Sequence, residues 1–177
     1  MKIIGISGSL RKASFNTQLV ELAKSLATGH DFEIAPIGDI PLYNGDVEEA
    51  GFPASVSALA DKVRAADALY IATPEYNFST SGVLKNTIDW LSRHRDPSMP
   101  LGGKVVALAG TSAGMGGTSH AQAHLRHTLA LLGCDMVTNP QVLVAANHQA
   151  MVEPSDMLKD LIGKQIVAME KRVKLHG

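Results

Sequence analysis

Five short aliphatic runs alternate with amphipathic stretches along the chain, and this alternation restricts the fold more than any other feature of the sequence. The runs are almost continuously apolar, which is typical of strands buried on both faces, and they cover residues 3–6, 32–37, 68–72, 105–109 and 141–144. The other stretches repeat apolar residues at intervals of three and four, which predicts helices over residues 15–26, 56–63, 82–91, 125–132 and 158–173. Strands and helices in this order form a parallel sheet covered on both faces, because each right-handed crossover must return to the sheet.

The chain is thus predicted to form one doubly wound α/β domain over residues 1–177, with five parallel strands and helices on both faces. Ligands of such sheets bind beyond the carboxyl ends of the strands, at the point where the strand order reverses. The loops after the first, third and fourth strands are therefore where a functional site is expected. The long irregular segment 38–53 is interpreted as a surface loop.

Charge and composition exclude several classes of function. The formal net charge is -1 and no run of lysine and arginine occurs, which argues against nucleic acid as a partner. No apolar segment approaches the roughly 18 residues needed to span a bilayer, and the first residues lead directly into a strand rather than into a signal-like segment. We therefore expect a cytoplasmic protein with no membrane partner. The single cysteine, Cys134, cannot form an internal disulfide, and its apolar neighbours predict a buried thiol.

The loop after the first strand, GSLRKASFN, has the composition of an anion-binding site. A helix that begins near Ser14 directs its first backbone N–H groups and the positive end of its dipole at this loop. The polar side chains that can converge there are Ser9, Arg11, Ser14, Asn16 and Thr17. The loop has neither the Gly-Lys-Ser/Thr of a triphosphate-binding loop nor the three glycines of a dinucleotide fingerprint, so the terminal phosphate of a mononucleotide is favoured. The alternative is that Ser14 only caps the helix and Arg11 is solvated.

The loop after the third strand begins TPEYNFSTSG, and it suits the edge of a planar heterocycle. A proline, a glutamate, an aromatic ring and an amide follow the strand end directly, and these residues are Pro74, Glu75, Tyr76 and Asn77. They offer backbone donors and acceptors beside a flat surface.

The loop after the fourth strand, GTSAGMGGTS, is rich in glycine, so its backbone can approach a ligand closely. It also contains Gly-x-Ser-x-Gly, which would make Ser112 the nucleophile of a hydrolase, with Asp135 or Asp156 and His148 or His176 as partners. A nucleophile elbow turns directly from strand to helix, whereas further glycines intervene here. Only one clear strand remains to carry both partners, so hydrolysis is the weaker interpretation.

Three histidines, His120, His124 and His127, share one face of the helix that follows. An i,i+4 pair can chelate a metal, but the outer two lie about 10 Å apart along the axis by the helical rise, and no carboxylate shares their face. A surface or subunit-interface stripe is therefore favoured over a metal site.

Taken together, the three loops resemble the NADPH-dependent FMN reductase family, and within it the bacterial quinone and chromate reductases. GSLRKASFN is similar to the family's phosphate motif, and PEYNFS with GVLKNTIDWLSR is similar to its flavin-contact motif and the following helix. The resemblance implies a flavodoxin-like fold with non-covalently bound FMN. The residues implied in binding the phosphate are Ser9, Arg11, Ser14, Asn16 and Thr17, and those implied in contacting the rest of the flavin are Pro74, Glu75, Tyr76, Asn77, Ser79, Ser112 and Gly114.

The implied activity is hydride transfer from NADPH or NADH through FMN to quinones or similar acceptors such as chromate or azo compounds, with ping-pong kinetics and no catalytic side chain. The alternatives are a flavin reductase that supplies reduced FMN and a flavodoxin-like electron carrier, which the nearly neutral charge disfavours. The resemblance also implies a homodimer or homotetramer. Phe78, Thr80 and Ser81 depart from residues common in the family, and they are expected to affect acceptor preference.

Overall fold

A five-stranded parallel sheet forms the centre of the structure, and its strands are ordered β2-β1-β3-β4-β5. The computed structural model describes residues 1–145 and 151–176. The strands are β1 Lys2–Ser7, β2 Asp31–Ile34, β3 Ala68–Ala72, β4 Val105–Thr111 and β5 Asp135–Val144. Because β1 pairs with β2 on one side and with β3 on the other, the strand order reverses there, and the loops after β1 and β3 lie side by side. The predicted doubly wound α/β fold is confirmed.

Helices cover both faces of the sheet. They are α1 Phe15–Leu26, α2 Gly45–Ala50, α3 Ala54–Arg64, α4 Gly82–Arg93, α5 Ser119–Leu131 and α6 Asp156–His176. One apolar cluster contains side chains of α3, α4 and α5, and the other contains those of α1 and α6. Ile3 and Ile4 belong to different clusters because successive side chains of a strand point to opposite faces. Across the described residues, none of the helices has the length and apolar character that crossing a membrane requires.

Every strand except β3 differs in length from its predicted range, and β2 and β5 differ most. The strand β2 ends at Ile34 rather than at residue 37, shortly before a proline that cannot donate to the ladder. The strand β5 begins at Asp135 rather than at residue 141, and its register against β4 shifts near Leu108. At this irregularity Gln165 of α6 donates its side-chain amide to the carbonyl oxygens of Leu108 and Pro140, both at 2.9 Å. The first half of β5 was not predicted, because polar residues at the irregularity interrupt its apolar run.

The prediction of an irregular loop over residues 38–53 is wrong in part, because residues 45–50 form the short helix α2. None of its residues is buried, so no apolar periodicity in the sequence could have revealed it. Glu48 of α2 accepts hydrogen bonds from the Tyr43 hydroxyl and from Arg93 of α4. The bonds from Arg93 and Tyr43 hold the pKa of the Glu48 carboxyl below its ordinary value. The segment is therefore attached to the domain through polar contacts.

Cys134 is buried, as its neighbours predict. Burial raises the pKa of its thiol to about 12, and the Sγ–H donates to the Leu101 carbonyl oxygen at 3.3 Å. The thiol is therefore protonated at neutral pH and is not a nucleophile.

Candidate functional site

The loops after β1, β3 and β4 meet at the carboxyl edge of the sheet and enclose a cleft of about 220 Å³. Its lining residues are Ser9, Arg11, Ser14, Phe15, Asn16, Pro74, Glu75, Tyr76, Thr111, Ser112 and Ala113. The structure thus brings together most of the residues that were predicted to bind the flavin, and they come from three separate loops. This is also the position at which doubly wound sheets bind their ligands.

The amino-terminal end of α1 forms one side of the cleft. Ser14 caps the helix, since its Oγ accepts from the Thr17 backbone N–H at 3.3 Å. A hydroxyl that accepts one bond still has its own hydrogen to donate, so the cap and a phosphate contact are compatible. The Ser9 Oγ accepts from the Arg11 backbone N–H at 3.4 Å, which folds the loop back on itself. The Arg11 guanidinium is exposed and lies 5.9 Å from the centroid of the Phe15 ring.

Asn16 and Thr17 use their side chains inside the protein. The Asn16 amide donates to the Thr111 carbonyl oxygen and accepts from the Thr111 backbone N–H, both at 3.1 Å. The Thr17 hydroxyl donates to the Ser7 Oγ at 2.9 Å, and Thr17 does not line the cleft. These contacts join α1 to the ends of β4 and β1. A phosphate contact by either side chain stays a prediction.

Replacing Asn16 with alanine is expected to lower the free energy of unfolding by about 2–4 kcal/mol, because it leaves a buried N–H and a buried carbonyl of Thr111 without partners. Urea unfolding followed by circular dichroism measures the loss. Gln18→Ala, two residues further along the same helix, is the control, with an expected change within about 0.5 kcal/mol. Equal stability of the two variants would contradict the bracing role of Asn16.

The opposite side of the cleft carries a tight turn formed by residues 76–79, which we call the rim turn. The backbone N–H groups of Tyr76 and Ser79 each donate to the other residue's carbonyl oxygen at 3.0 Å. The two central residues, Asn77 and Phe78, have φ angles of 49° and 61°, which is the geometry of a type I′ turn. Asparagine adopts this conformation readily, but for phenylalanine it costs about 1–2 kcal/mol. Tyr76 and Phe78 are 57% and 71% exposed, so the turn presents two rings to solvent.

Ser79 and Gly114, unlike most of the predicted flavin-contact residues, are not directed at the cleft. The Ser79 Oγ is 3.0 Å from His124 Nδ1, and it faces a separate cavity that Lys85 and His127 also line. Gly114 is exposed, and its backbone N–H donates to the Ser112 Oγ at 3.2 Å. Neither residue is in the lining of the cleft, and neither is Asn77. Their contact with a flavin stays a prediction.

The candidate partners of Ser112 in a hydrolase that lie among the described residues are bonded to other side chains. Asp135 begins β5 at the amino edge of the sheet, whereas Ser112 follows the carboxyl end of β4. The Asp135 carboxylate accepts from Arg172 and lies 3.0 Å from His176 Nε2. Asp156 begins α6 and pairs with a lysine of the same helix. The remaining partner that the sequence suggested, residue 148, lies outside the described residues.

The histidine stripe is exposed, but two of its members contact the rim turn. His124 meets Ser79, and the ring of His120 meets that of Phe78 edge-on with 5.5 Å between centroids. Among residues 1–145 and 151–176, no group of three or more histidine, cysteine or acidic side chains is arranged to hold a metal ion.

Three lining residues were not found from the sequence: Phe15, Thr111 and Ala113. Thr111 is the last residue of β4, and Ala113 follows Ser112 directly. Because ligands of these sheets bind beyond the carboxyl ends of the strands, the position of both residues in the sequence could have indicated them. The Thr111 Oγ1 is buried and has no hydrogen-bond partner among the described residues.

The residues of the cleft fit an FMN phosphate. The first loop supplies a guanidinium, two hydroxyls and a helix amino terminus, and this donor set is suited to a phosphate monoester. The acid that lines the cleft, Glu75, accepts from the Ala121 backbone N–H at 3.0 Å at the start of α5. Its charge is therefore directed at a second helix terminus instead of at the first loop.

Comparisons with known proteins agree with this assignment. The family model described as NADPH-dependent FMN reductase matches residues 1–149. An NAD(P)H-dependent FMN reductase of Pseudomonas aeruginosa is 44% identical, with 98% of this chain and 96% of the relative covered. A quinone reductase of Escherichia coli is also 44% identical, over 81% of this chain and 77% of the relative. The structure of FerB, a flavoenzyme NAD(P)H:(acceptor) oxidoreductase from Paracoccus denitrificans, covers both chains in full with a TM-score of 0.89 and 33% identity.

The sheet order, the helices on both faces and the FerB superposition identify the fold as flavodoxin-like. The chain belongs to the NADPH-dependent FMN reductase family.

Proposed function

We propose that the cleft holds FMN and that this protein is an oxidoreductase that transfers hydride from NADPH or NADH, through that FMN, to quinones or similar acceptors. One observation carries the proposal: side chains suited to bind a phosphate line one side of the cleft, and a turn with exposed aromatic rings lies on the other side. The quinone reductase among the relatives supports the acceptor class.

The proposed roles follow from where each side chain lies. Arg11, Ser9 and Ser14 bind the phosphate, together with the first backbone N–H groups of α1. Asn16 and Thr17 support this loop through their bonds to Thr111 and Ser7. The rest of the flavin lies along a wall formed by Pro74, Glu75, Tyr76, Asn77, Ser79, Ser112 and Gly114. Ser79 and Gly114 act there by van der Waals contact, since the Ser79 Oγ is directed at His124 and the Gly114 backbone N–H donates to the Ser112 Oγ.

Bound FMN supplies the ring system that accepts and returns a hydride, so the protein contributes position and electrostatics. The Glu75 carboxylate is engaged with α5, which leaves it unsuited to proton transfer in the cleft. Pro74 and Tyr76 supply apolar surface that holds a planar ring and excludes water from one side of it. Donor and acceptor would then use the open side in turn, and ping-pong kinetics are expected.

A visible absorption spectrum of the purified protein tests the proposal. Flavin absorption that disappears on addition of NADPH and returns on addition of a benzoquinone, without added flavin, is the expected result. A protein that oxidises NADPH poorly by itself would instead be an electron carrier. Loss of FMN during gel filtration, with continued reduction of added FMN, would indicate a flavin reductase. A colourless protein that does not bind added FMN would contradict the cleft assignment.

We also propose that residues 1–177 act as one unit in a homodimer or homotetramer. Exposed apolar side chains around the cleft, those of Leu10, Tyr76, Phe78 and Met115, support an additional covering surface. A cytoplasmic location is supported by the donor, since NAD(P)H is a reductant of the cell interior. Sedimentation equilibrium measures the assembly, and a monomer at micromolar concentration would contradict that part of the proposal.

A further inference from the structure

The rim turn is held in an unfavourable conformation at Phe78. A type I′ turn favours glycine at its second central position, and a phenylalanine with φ of 61° is rare there. The ring itself is 71% exposed, so burial in the core does not stabilise this conformation. Other contacts must therefore hold the tip of the turn.

The contacts come from α5. His124 Nδ1 lies 3.0 Å from the Ser79 Oγ at the end of the turn, and the His120 ring lies edge-on to Phe78 at its tip. His120 and His124 are one helical turn apart, so a single rigid helix supports two points of a four-residue turn. His127, on the same face, contributes neither of these two contacts.

We propose that His120 and His124 are positioning residues that hold the rim turn, and that the Phe78 ring placed by them determines the affinity for planar acceptors. The proposal rests on the proposed function for the identity of the acceptor, but its contacts are independent of it. Phe78 is exposed on a turn whose first residue, Tyr76, lines the cleft, so its ring offers a stacking surface for a quinone that approaches the cleft. The ring serves this purpose only if its direction is fixed.

Amide hydrogen exchange in the FMN-loaded protein tests the contact directly. The amides of Tyr76 and Ser79 close the turn by donating to each other's carbonyl oxygens. Each histidine supplies one exposed contact, so His124→Ala should speed exchange of these amides about threefold and the double change His120→Ala/His124→Ala about tenfold. His127→Ala is the matched control and should leave exchange within its error. Unchanged exchange in the double variant would overturn the proposal.

A glycine at the tip provides a second test. In a Phe78→Gly background the turn no longer needs support, so His124→Ala should change exchange less than twofold. The melting temperature of Phe78→Gly should exceed that of Phe78→Ala by about 2–4 °C, because only glycine removes the backbone cost. Equal melting temperatures, or a full effect of His124→Ala in the glycine background, would show that the turn is not held under strain.

Kinetics separate positioning from a general structural effect. In His120→Ala/His124→Ala the KM for a naphthoquinone should rise about fivefold while kcat is unchanged, and the KM for ferricyanide, which does not stack, should stay the same. Equal changes for both acceptors would contradict the role of Phe78 in acceptor affinity. If the wild-type protein reduced no quinone, the proposed function would fail while the exchange measurements still tested the histidine contacts.

Discussion

Replacing Arg11 with alanine should weaken FMN binding about 30-fold and leave riboflavin binding unchanged. A hydrogen bond between a guanidinium and a phosphate contributes about 1.5–3 kcal/mol, and about 2 kcal/mol corresponds to a 30-fold change in the dissociation constant. Riboflavin lacks the phosphate, so it does not experience this loss. Quenching of flavin fluorescence on titration with apoprotein measures both constants.

The fold should tolerate the change of Arg11, because its side chain is exposed and its ring contact with Phe15 is at the surface. We expect the melting temperature of the apoprotein to change by less than about 2 °C. Lys12 is the control, since it is the adjacent cation, is exposed and does not line the cleft. Lys12→Ala should alter the FMN constant less than twofold. Equal losses for FMN and riboflavin in Arg11→Ala would place Arg11 at the ring instead of the phosphate.

Much of the fold could be predicted because its central strands are buried on both faces. The runs of β1, β3 and β4 are continuous in the sequence for that reason, and each predicted run overlaps the strand that the structure shows. The helix α2 and the first half of β5 carry no such signal. Glu48 bonds to Arg93 in the first case. In the second, only Met136 and Val137 of the first half of β5 are buried and apolar, and Gln165 bonds to the carbonyl oxygens of Leu108 and Pro140. Hydrogen bonds between distant residues leave no period in a sequence.

The candidate site, like the fold, could be predicted only in part. The position of the cleft followed from topology, and residues at the strand ends such as Ser9, Pro74 and Ser112 lie in its lining. Topology did not predict the direction in which each side chain points, because that direction depends on the local turn. Ser79 faces His124 since the rim turn reverses the chain at Asn77, and a sequence motif does not specify that reversal.

The role of the histidines was also beyond sequence analysis. Their spacing placed them on one face of a helix, and the structure agrees. Their partners, however, lie more than 40 positions earlier in the chain, so only the packing of α5 beside the rim turn identifies them.

Replacing Gly110 with alanine should destabilise the protein by about 3 kcal/mol, which for a chain of this length lowers the melting temperature by about 10 °C. A Cβ at this position would lie 2.1 Å from the Thr118 Oγ1 and 2.5 Å from the Thr73 carbonyl oxygen. Neither neighbour can move easily. Thr73 continues β3, and Thr118 is fully buried, with its Oγ1 accepting from Gln122 at 3.0 Å.

The damage should extend to the cleft, because Gly110 directly precedes the lining residues Thr111 and Ser112. Separation of β4 from β3 would move this wall away from Pro74, so FMN binding should weaken in the folded variant at temperatures well below its melting point. Gly116→Ala is the control for the same loop, since its added Cβ would meet the Ser119 Oγ at an ordinary 3.5 Å. Calorimetry of both variants with and without FMN measures the two effects. A melting temperature of Gly110→Ala within 2 °C of the wild type would mean that β3 and β4 separate at little cost, and the cleft would then lack the rigid wall on which the flavin assignment depends.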